Sequence, residues 1–276
     1  MYMRLKDGKR KVLTLSYDDG VATDKRLIEI MDKNGIKGTF NINSGRYLPE
    51  DKEREKSYSR MKLSEAKELY INSGHEVAIH GFTHPYLEKL KSEQVILEVA
   101  EDRKNISKEY KTLARGMAYP YGTYSEQVEE CLKMCGICYS RTTKSTEKFL
   151  FPENWLEWHP TCHHKNPKLM ELAKDFAEDV EPMSSVENRM FYLWGHSYEF
   201  EVNDNWEIIE EFCKYMGNRD DIWYATNIEI YDYIMAYNSL QTDVEENIIH
   251  NPSSIDVWFM KNNIEYCVKA GETLYL

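Results

Sequence analysis

No stretch of this 276-residue chain approaches the roughly 18 consecutive apolar residues that a membrane-spanning helix requires. Basic charge is also in deficit. Lys and Arg total 35 against 47 Asp and Glu, a net charge of −12. That balance argues against nucleic acid or an anionic membrane as the principal partner. Six cysteines are too sparse for the disulfide framework of a small secreted protein. The segment "MYMRLKDGKRKVLTLSYDDG" begins basic, but the short run before its carboxylates is no signal-peptide core. A reducing cytoplasm is therefore the expected compartment. There is no internal repeat, low-complexity tract or obvious linker. Cys131, Cys135 and Cys138 have a spacing that a metal could use, yet they fall in a segment patterned as an amphipathic helix without a companion CxxC. They read as buried free thiols.

What is present is a core-forming composition, 42% hydrophobic and 13% aromatic, which excludes general disorder. Short apolar runs alternate with helical periodicity. "KVLTLSY", "GTFNIN", "HEVAIHG", "RGMAYP", "ICYSRTT", "WLEWHP", "RMFYLWGHS" and "IWYATN" read as strands, with helical patterns or loops between them. A charged loop, Pro49 to Arg60, follows the second run. Such alternation predicts an α/β fold, a distorted (β/α) barrel of seven or eight parallel strands. The tail differs: "IDVWFM", "IEYCVK" and "TLYL" predict a small antiparallel β appendage, with Asn262-Asn263 as a tight turn. The expected division is a barrel over residues 1–238 and an appendage over 239–276, packed on it.

The stretch "LTLSYDDGVAT" poses the functional question. A turn is satisfied by one Asp and a Gly. Two adjacent carboxylates repel, and something positive nearby must make them tolerable. In α/β barrels the chemistry gathers at the carboxyl ends of the strands. Those positions here hold Asp18 and Asp19; His80, with His84 four residues on; Tyr119, Pro120 and Tyr121; Arg141; Trp158 and His159, with His163 and His164 just beyond; and Trp194 and His196. Two neutral imidazoles and a carboxylate form a common three-ligand set for a hydrolytic divalent metal. A metal near the first strand would explain the paired carboxylates: one ligates, and the other takes a proton from attacking water. His196 is placed to protonate a leaving group.

In order along the chain, these motifs resemble the polysaccharide deacetylase family, the NodB-homology group of carbohydrate esterases. "SYDDG" is similar to its first motif, "HGFTH" to the second, "AYPYG" to the third and "YLWGH" to the fifth, over about residues 11 to 235. The resemblance implies Asp18 as catalytic base and Asp19, His80 and His84 as metal ligands. It further implies His196 as general acid and the Tyr121 backbone N–H as an oxyanion donor. Tyr119, Pro120, Trp158, His159, His163 and Trp194 are the candidate substrate contacts. Two departures stand out. Ala118 occupies the place where the third motif usually carries an Arg that steadies the base, so Arg141 or Arg115 is expected to take over. The Asp-containing fourth motif is not recognisable, and "WHPTCHH" stands near its place.

The expected activity is hydrolysis of an acetyl group, N-acetyl favoured, from a sugar or glycan. One divalent ion would assist, zinc first, with Co, Ni, Mn or Fe as alternatives. Two rivals remain: an amide or cyclic-imide hydrolase on the same scaffold, and an inactive carbohydrate-binding homologue.

Overall fold

The structure is a computed structural model that describes residues 1–179, 184 and 186–276. Its centre is a parallel sheet built from β1 (Lys11–Asp18), β2 (Gly38–Ile42), β3 (Glu76–Ile79), β4 (Gly116–Ala118), β5 (Tyr139–Arg141), β6 (Cys162–His163), β7 (Arg189–Gly195) and β8 (Ile222–Tyr224). The order across the sheet is β5-β4-β3-β2-β1-β7-β6, with β8 also against β1. The helices α1 (Asp24–Lys33), α2 (Leu63–Tyr70), α3 (Ser92–Tyr110), α4 (Glu126–Met134), α5 (Leu169–Glu178), α6 (Tyr198–Val202), α7 (Glu207–Met216) and α8 (Asn227–Asn238) come between and after these strands. This is the distorted (β/α) barrel that the alternation predicted. No helix among the described residues is long and apolar enough to cross a membrane.

Every residue of β1 and β7 is buried, as strands covered on both faces must be. Side chains alternate along β1. Leu13, Leu15 and Tyr17 join the main apolar core with Phe176, Ile209 and Phe212 of the helices. Thr14, Ser16 and Asp18 take the other face, which is polar. Thr14 Oγ1 lies 2.8 Å from Asn227 Oδ1, and Asn41 Nδ2 donates to Ser16 Oγ at 2.8 Å. The register then fixes the mouth of the barrel: Asp18 pairs with Asn41 of β2, and Tyr17 with Gly195 of β7, one residue before His196. Gly195 permits a close approach, since a Cβ there would fall 2.0 Å from His164 Nδ1.

Two of the expected strands differ. "WLEWHP" is a 3₁₀ turn over Trp155–Glu157, capped by the Asn154 side chain accepting from Leu156 N–H. Trp158 makes only a single parallel bridge, to Arg141, and the strand itself comes later at Cys162–His163, beside β7. The gap between β5 and β7 is thus spanned by two short pieces. β8 does form, but it pairs with Lys11–Leu13 only, whereas β2 pairs with Leu15–Asp18. It wedges into the amino-terminal end of the sheet.

Cys131 is buried in α4, and the Cys131 and Cys135 thiols face the Ser92 and Ile96 carbonyls. The tail forms the antiparallel hairpin β9 (Val257–Lys261) and β10 (Ile264–Val268). Asn262 and Asn263 both have positive φ, 54° and 62°, as a tight hairpin turn demands. Tyr2–Met3 pairs with β9, a contact between the two ends of the chain that no local pattern announces.

Asp24, fully buried at the start of α1, ties the helix layer to the mouth. Tyr70 OH donates to it at 2.5 Å, and Ser197, next to His196, hydrogen-bonds its other oxygen. Burial raises its pKa to about 7 despite the two hydroxyls. Asp24 therefore favours the folded state most below its ordinary range and progressively less as pH climbs toward 7. Asp24→Asn should flatten that slope. Chemical-denaturation midpoints of the variant at pH 5 and pH 8 are expected to lie closer together than those of the wild type.

Candidate active site

Asp18 is buried and held from two sides. Asn41 Nδ2 donates to Oδ1 at 2.8 Å, and the Arg141 guanidinium grips Oδ2. Arg141 is itself fully buried, with its guanidinium carbon 4.4 Å from the centre of the Trp194 ring. Burial opposes ionisation, but Arg141, then His80 and His196, hold the Asp18 pKa down at about 2. Arg115, the other sequence candidate, is engaged elsewhere in a two-pronged pair with Asp232 at 3.0 and 2.6 Å.

Adjacent residues on a strand face opposite ways, so Asp18 and Asp19 would diverge if β1 continued. It does not. Asp19 has φ 88° and Gly20 φ 63°, and this left-handed break keeps the Asp19 carboxylate at the mouth. His84 and Tyr121 also hold positive φ, 63° and 60°. Non-glycine residues in this region cost on the order of 1–3 kcal/mol each and cluster at functional sites.

Ligand atoms of Asp19, His80 and His84 all lie within 4.8 Å of one another. His80 Nδ1 is 2.7 Å from the Ala118 carbonyl. A carbonyl only accepts, so Nδ1 carries the proton and Nε2 presents a lone pair. That lone pair faces His84 Nε2 at 3.1 Å. Burial and the neighbouring His80 push the His84 pKa down to about 4, leaving a neutral ring. Two neutral imidazole nitrogens converging beside an ionised carboxylate fit a divalent cation. The surroundings brace the set. Asp102 accepts from His80 N–H at 3.0 Å and Ser44 N–H at 2.7 Å. The Tyr121 ring meets His84 at 4.5 Å and stacks on Tyr86 at 3.8 Å.

His196 stands across the mouth, its Nε2 3.9 Å from Asp18 Oδ2. Its other nitrogen lies 3.8 Å from Glu199 Oε1, and sequence reasoning missed Glu199. This carboxylate is the hub of a cluster of three histidines and a lysine. His163 Nε2 and His164 Nε2 lie 3.2 and 2.9 Å from Oε2, and Lys165 Nζ lies 2.9 Å from Oε1. Burial opposes its ionisation, but the three histidines and Lys165 hold its pKa far below the carboxylate range. His163, His196 and Glu199 are close enough to suggest a second metal set, but tautomers argue otherwise. The Lys165 N–H donates to His163 Nδ1 at 3.1 Å, so Nε2 of a neutral ring bears the proton and cannot ligate. Burial lowers the His196 pKa, whereas Glu199, then Asp18 and Asp19, raise it; the net shift is upward. The available signal was spacing: Glu199 follows His196 by three residues on the short α6.

The substrate contacts divide. Trp158 is fully buried, packed edge-on against Tyr139 and Trp155. Tyr119 is buried with its hydroxyl donated to the Leu156 carbonyl at 2.9 Å, and Pro120 is buried. These three side chains are scaffold, which corrects their reading as substrate contacts: an aromatic at a strand end can fill the barrel as readily as line its mouth. Trp194 is largely buried over Arg141 and meets the His163 ring at 4.5 Å. His159 pairs its Nδ1 with Thr142 Oγ1 at 2.7 Å beside Arg141.

The family described as polysaccharide deacetylase matches residues 5–140, just under half of the chain, and this bears out the resemblance carried by the motifs. Chitin deacetylase 1 of Cryptococcus neoformans var. grubii is 26% identical over 154 residues, which cover 54% of this chain and 30% of that protein. The chain thus spans under a third of this curated relative. A crystal structure assigned to the polysaccharide deacetylases, from Mycobacterium smegmatis, superposes with a TM-score of 0.59 at 14% identity, covering 86% of this chain and 94% of the other. The CE4 domain of a multidomain xylanase from the hindgut metagenome of Trinervitermes trinervoides gives 0.52 at 14% identity, covering 83% and 92%. A CE4 family pseudoenzyme from Bacillus anthracis gives 0.50 at 16% identity, covering 84% and 68%. At these identities the structures establish the shared fold.

The Glu199 contact predicts a titration. Glu199→Gln removes the carboxylate that holds up the His196 pKa, so His196 should titrate at lower pH. NMR of the ring protons in wild type and variant, both stripped of metal, measures the shift, and an unchanged pKa would refute the contact.

Proposed function

We propose that this protein is a metal-dependent deacetylase that hydrolyses an N-acetyl group on a sugar or glycan. The observation that carries the reading is convergence. Asp18, Asp19, His80, His84 and His196, drawn from three separate strand ends, meet at one mouth. Asp19, His80 and His84 would hold one divalent ion, zinc first on the chemistry of two imidazoles and one carboxylate. When bound, it supplies Lewis-acid polarisation of the scissile carbonyl and makes water more acidic.

The chain's own residues do the rest. Asp18, ionised by Arg141 and oriented by Asn41, takes the proton of the attacking water at Oδ2. The Tyr121 N–H is assigned as donor to the carbonyl oxygen as it gains charge; such a donor is worth about 3–4 kcal/mol. His196, whose pKa Glu199 and Asp18 raise, delivers a proton to the departing amine. The base is thus pushed down and the acid up, the separation that lets both hold their working forms near neutral pH.

A pseudoenzyme of the CE4 family shares the fold, so the fold alone does not establish turnover. The complete acid, base and ligand set favours an active enzyme here. Acetate release from N-acetylated sugar oligomers, with Zn, Co, Ni or Mn added back to stripped protein, tests the reading and separates it from hydrolysis of a non-sugar amide or cyclic imide. Asp18→Asn should keep the ion and lose most activity, while Asp19→Asn should lose the ion first. The reverse pattern would exchange their roles.

Arg141→Lys should cut the rate with little change in metal occupancy, because an ammonium cannot reproduce a planar guanidinium that meets Asp18 Oδ2 with one nitrogen and the Thr142 carbonyl with another. With less to hold its pKa down, Asp18 becomes easier to protonate. The acidic limb of the pH–rate profile should then move up. Wild-type rate and profile would remove Arg141 from the mechanism.

A further inference from the structure

We propose that Arg60 is a resident counter-ion of the candidate metal site, one that assembles the ligands in the empty protein and restrains their affinity for the ion. The proposal rests on the reading of Asp19, His80 and His84 as ligands. Arg60 ends the charged loop over residues 49–60 and is bridged to Val21 just beyond the paired carboxylates. Its Nη2 lies 2.6 Å from Asp19 Oδ1. Its Nη1 donates to the Asp19 carbonyl and, at 2.8 Å, to Asn43 Oδ1. Asn43 in turn donates from Nδ2 to the His80 and Gly81 carbonyls at 2.5 and 2.7 Å. One guanidinium therefore holds the side chain and the left-handed backbone of Asp19, and through Asn43 it reaches the loop that carries both histidines.

These contacts have opposite consequences for an incoming cation. Holding the ligands in place favours binding. The charge does not, because arginine stays protonated in proteins and repels a divalent ion twice as strongly as a monovalent one at the same distance. Outer partners that raise metal affinity are typically acceptors that make a ligand more basic. Arg60 is the reverse, a cationic donor that draws charge from the Asp19 carboxylate. Its side chain is 21% exposed and that of Asp19 16%, so solvent screens the repulsion only in part. The charge effect therefore outweighs the loss of ordering. In the empty protein the same charge offsets the repulsion between Asp18 and Asp19.

The expected pattern has two opposite signs. Arg60→Gln, which keeps a neutral donor, should bind zinc and cobalt at least tenfold more tightly than wild type in competition with a chromophoric chelator. The same variant, stripped of metal, should melt at a lower temperature than stripped wild type. Arg60→Lys, which keeps the charge, should bind within a few-fold of wild type. Arg60→Met serves as a second neutral variant if the Gln form does not fold, and it too should bind more tightly. Neutral variants that bind no more tightly than wild type would overturn the proposal while leaving the ligand assignment standing. Wild type that binds neither ion would overturn both.

Discussion

Two carboxylates, placed one after the other at the end of a buried strand, are the constraint that the rest of the mouth answers. Asp18 cannot be neutral if it is to take a proton, and Asp19 cannot be neutral if it is to hold a cation. Their repulsion in a partly desolvated site must be met by positive charge from outside the strand. The fold meets it twice, with Arg141 from β5 on Asp18 and Arg60 from the long loop on Asp19. Each aspartate has its own arginine, while His80 and His196 lower both pKa values and Asp18 pushes that of Asp19 up. Removing one partner from a buried ion pair costs about 3–5 kcal/mol. Arg141, sealed beneath Trp194, is thus as much a structural member of the barrel as a chemical one.

The same logic extends to the opposite wall. Burial lowers the pKa of His196, and Glu199, from the first turn after the strand, leads the groups that raise it. Glu199 could not lie at low exposure alone, and His163, His164 and Lys165, three consecutive residues, surround it. The segment "CHHK" thereby acquires a purpose that its composition does not declare. Its histidines resemble metal ligands in type, but the backbone N–H at His163 Nδ1 fixes a tautomer that points a proton, not a lone pair, at the carboxylate.

Much of this was legible in the sequence because strand ends are marked by local signals. The run "KVLTLSY" and the break at Asp18-Asp19-Gly20 locate the first strand, and α1 begins at Asp24 shortly after it. His80, Arg141 and His196 could be placed at one mouth because each stands at the end of a strand whose direction the alternation already set, and His84 follows His80 by four residues. What escaped notice depended on long-range packing. Trp158 looks like a sugar platform until the barrel closes over it. Arg60 lies 41 residues from its partner in a loop without periodicity, and nothing local links it to Asp19. Glu199 sits on a single turn of helix too short to leave a pattern. Charge partners across a barrel are chosen by register, and register is a property of the whole sheet.

The pairing of Tyr2–Met3 with the Val257–Lys261 strand has a consequence for how the molecule comes into being. Synthesis is vectorial, so Tyr2–Met3 leaves the ribosome long before the Val257–Lys261 strand that will receive it exists. During that interval the first edge waits unpaired while the barrel strands, each near its successor in sequence, can already associate. The two segments meet by closing the long loop between Met3 and Val257, an entropic cost that grows only slowly with length. The tail therefore acts as a clasp. It joins two segments that are far apart in sequence and that no local contact would hold together.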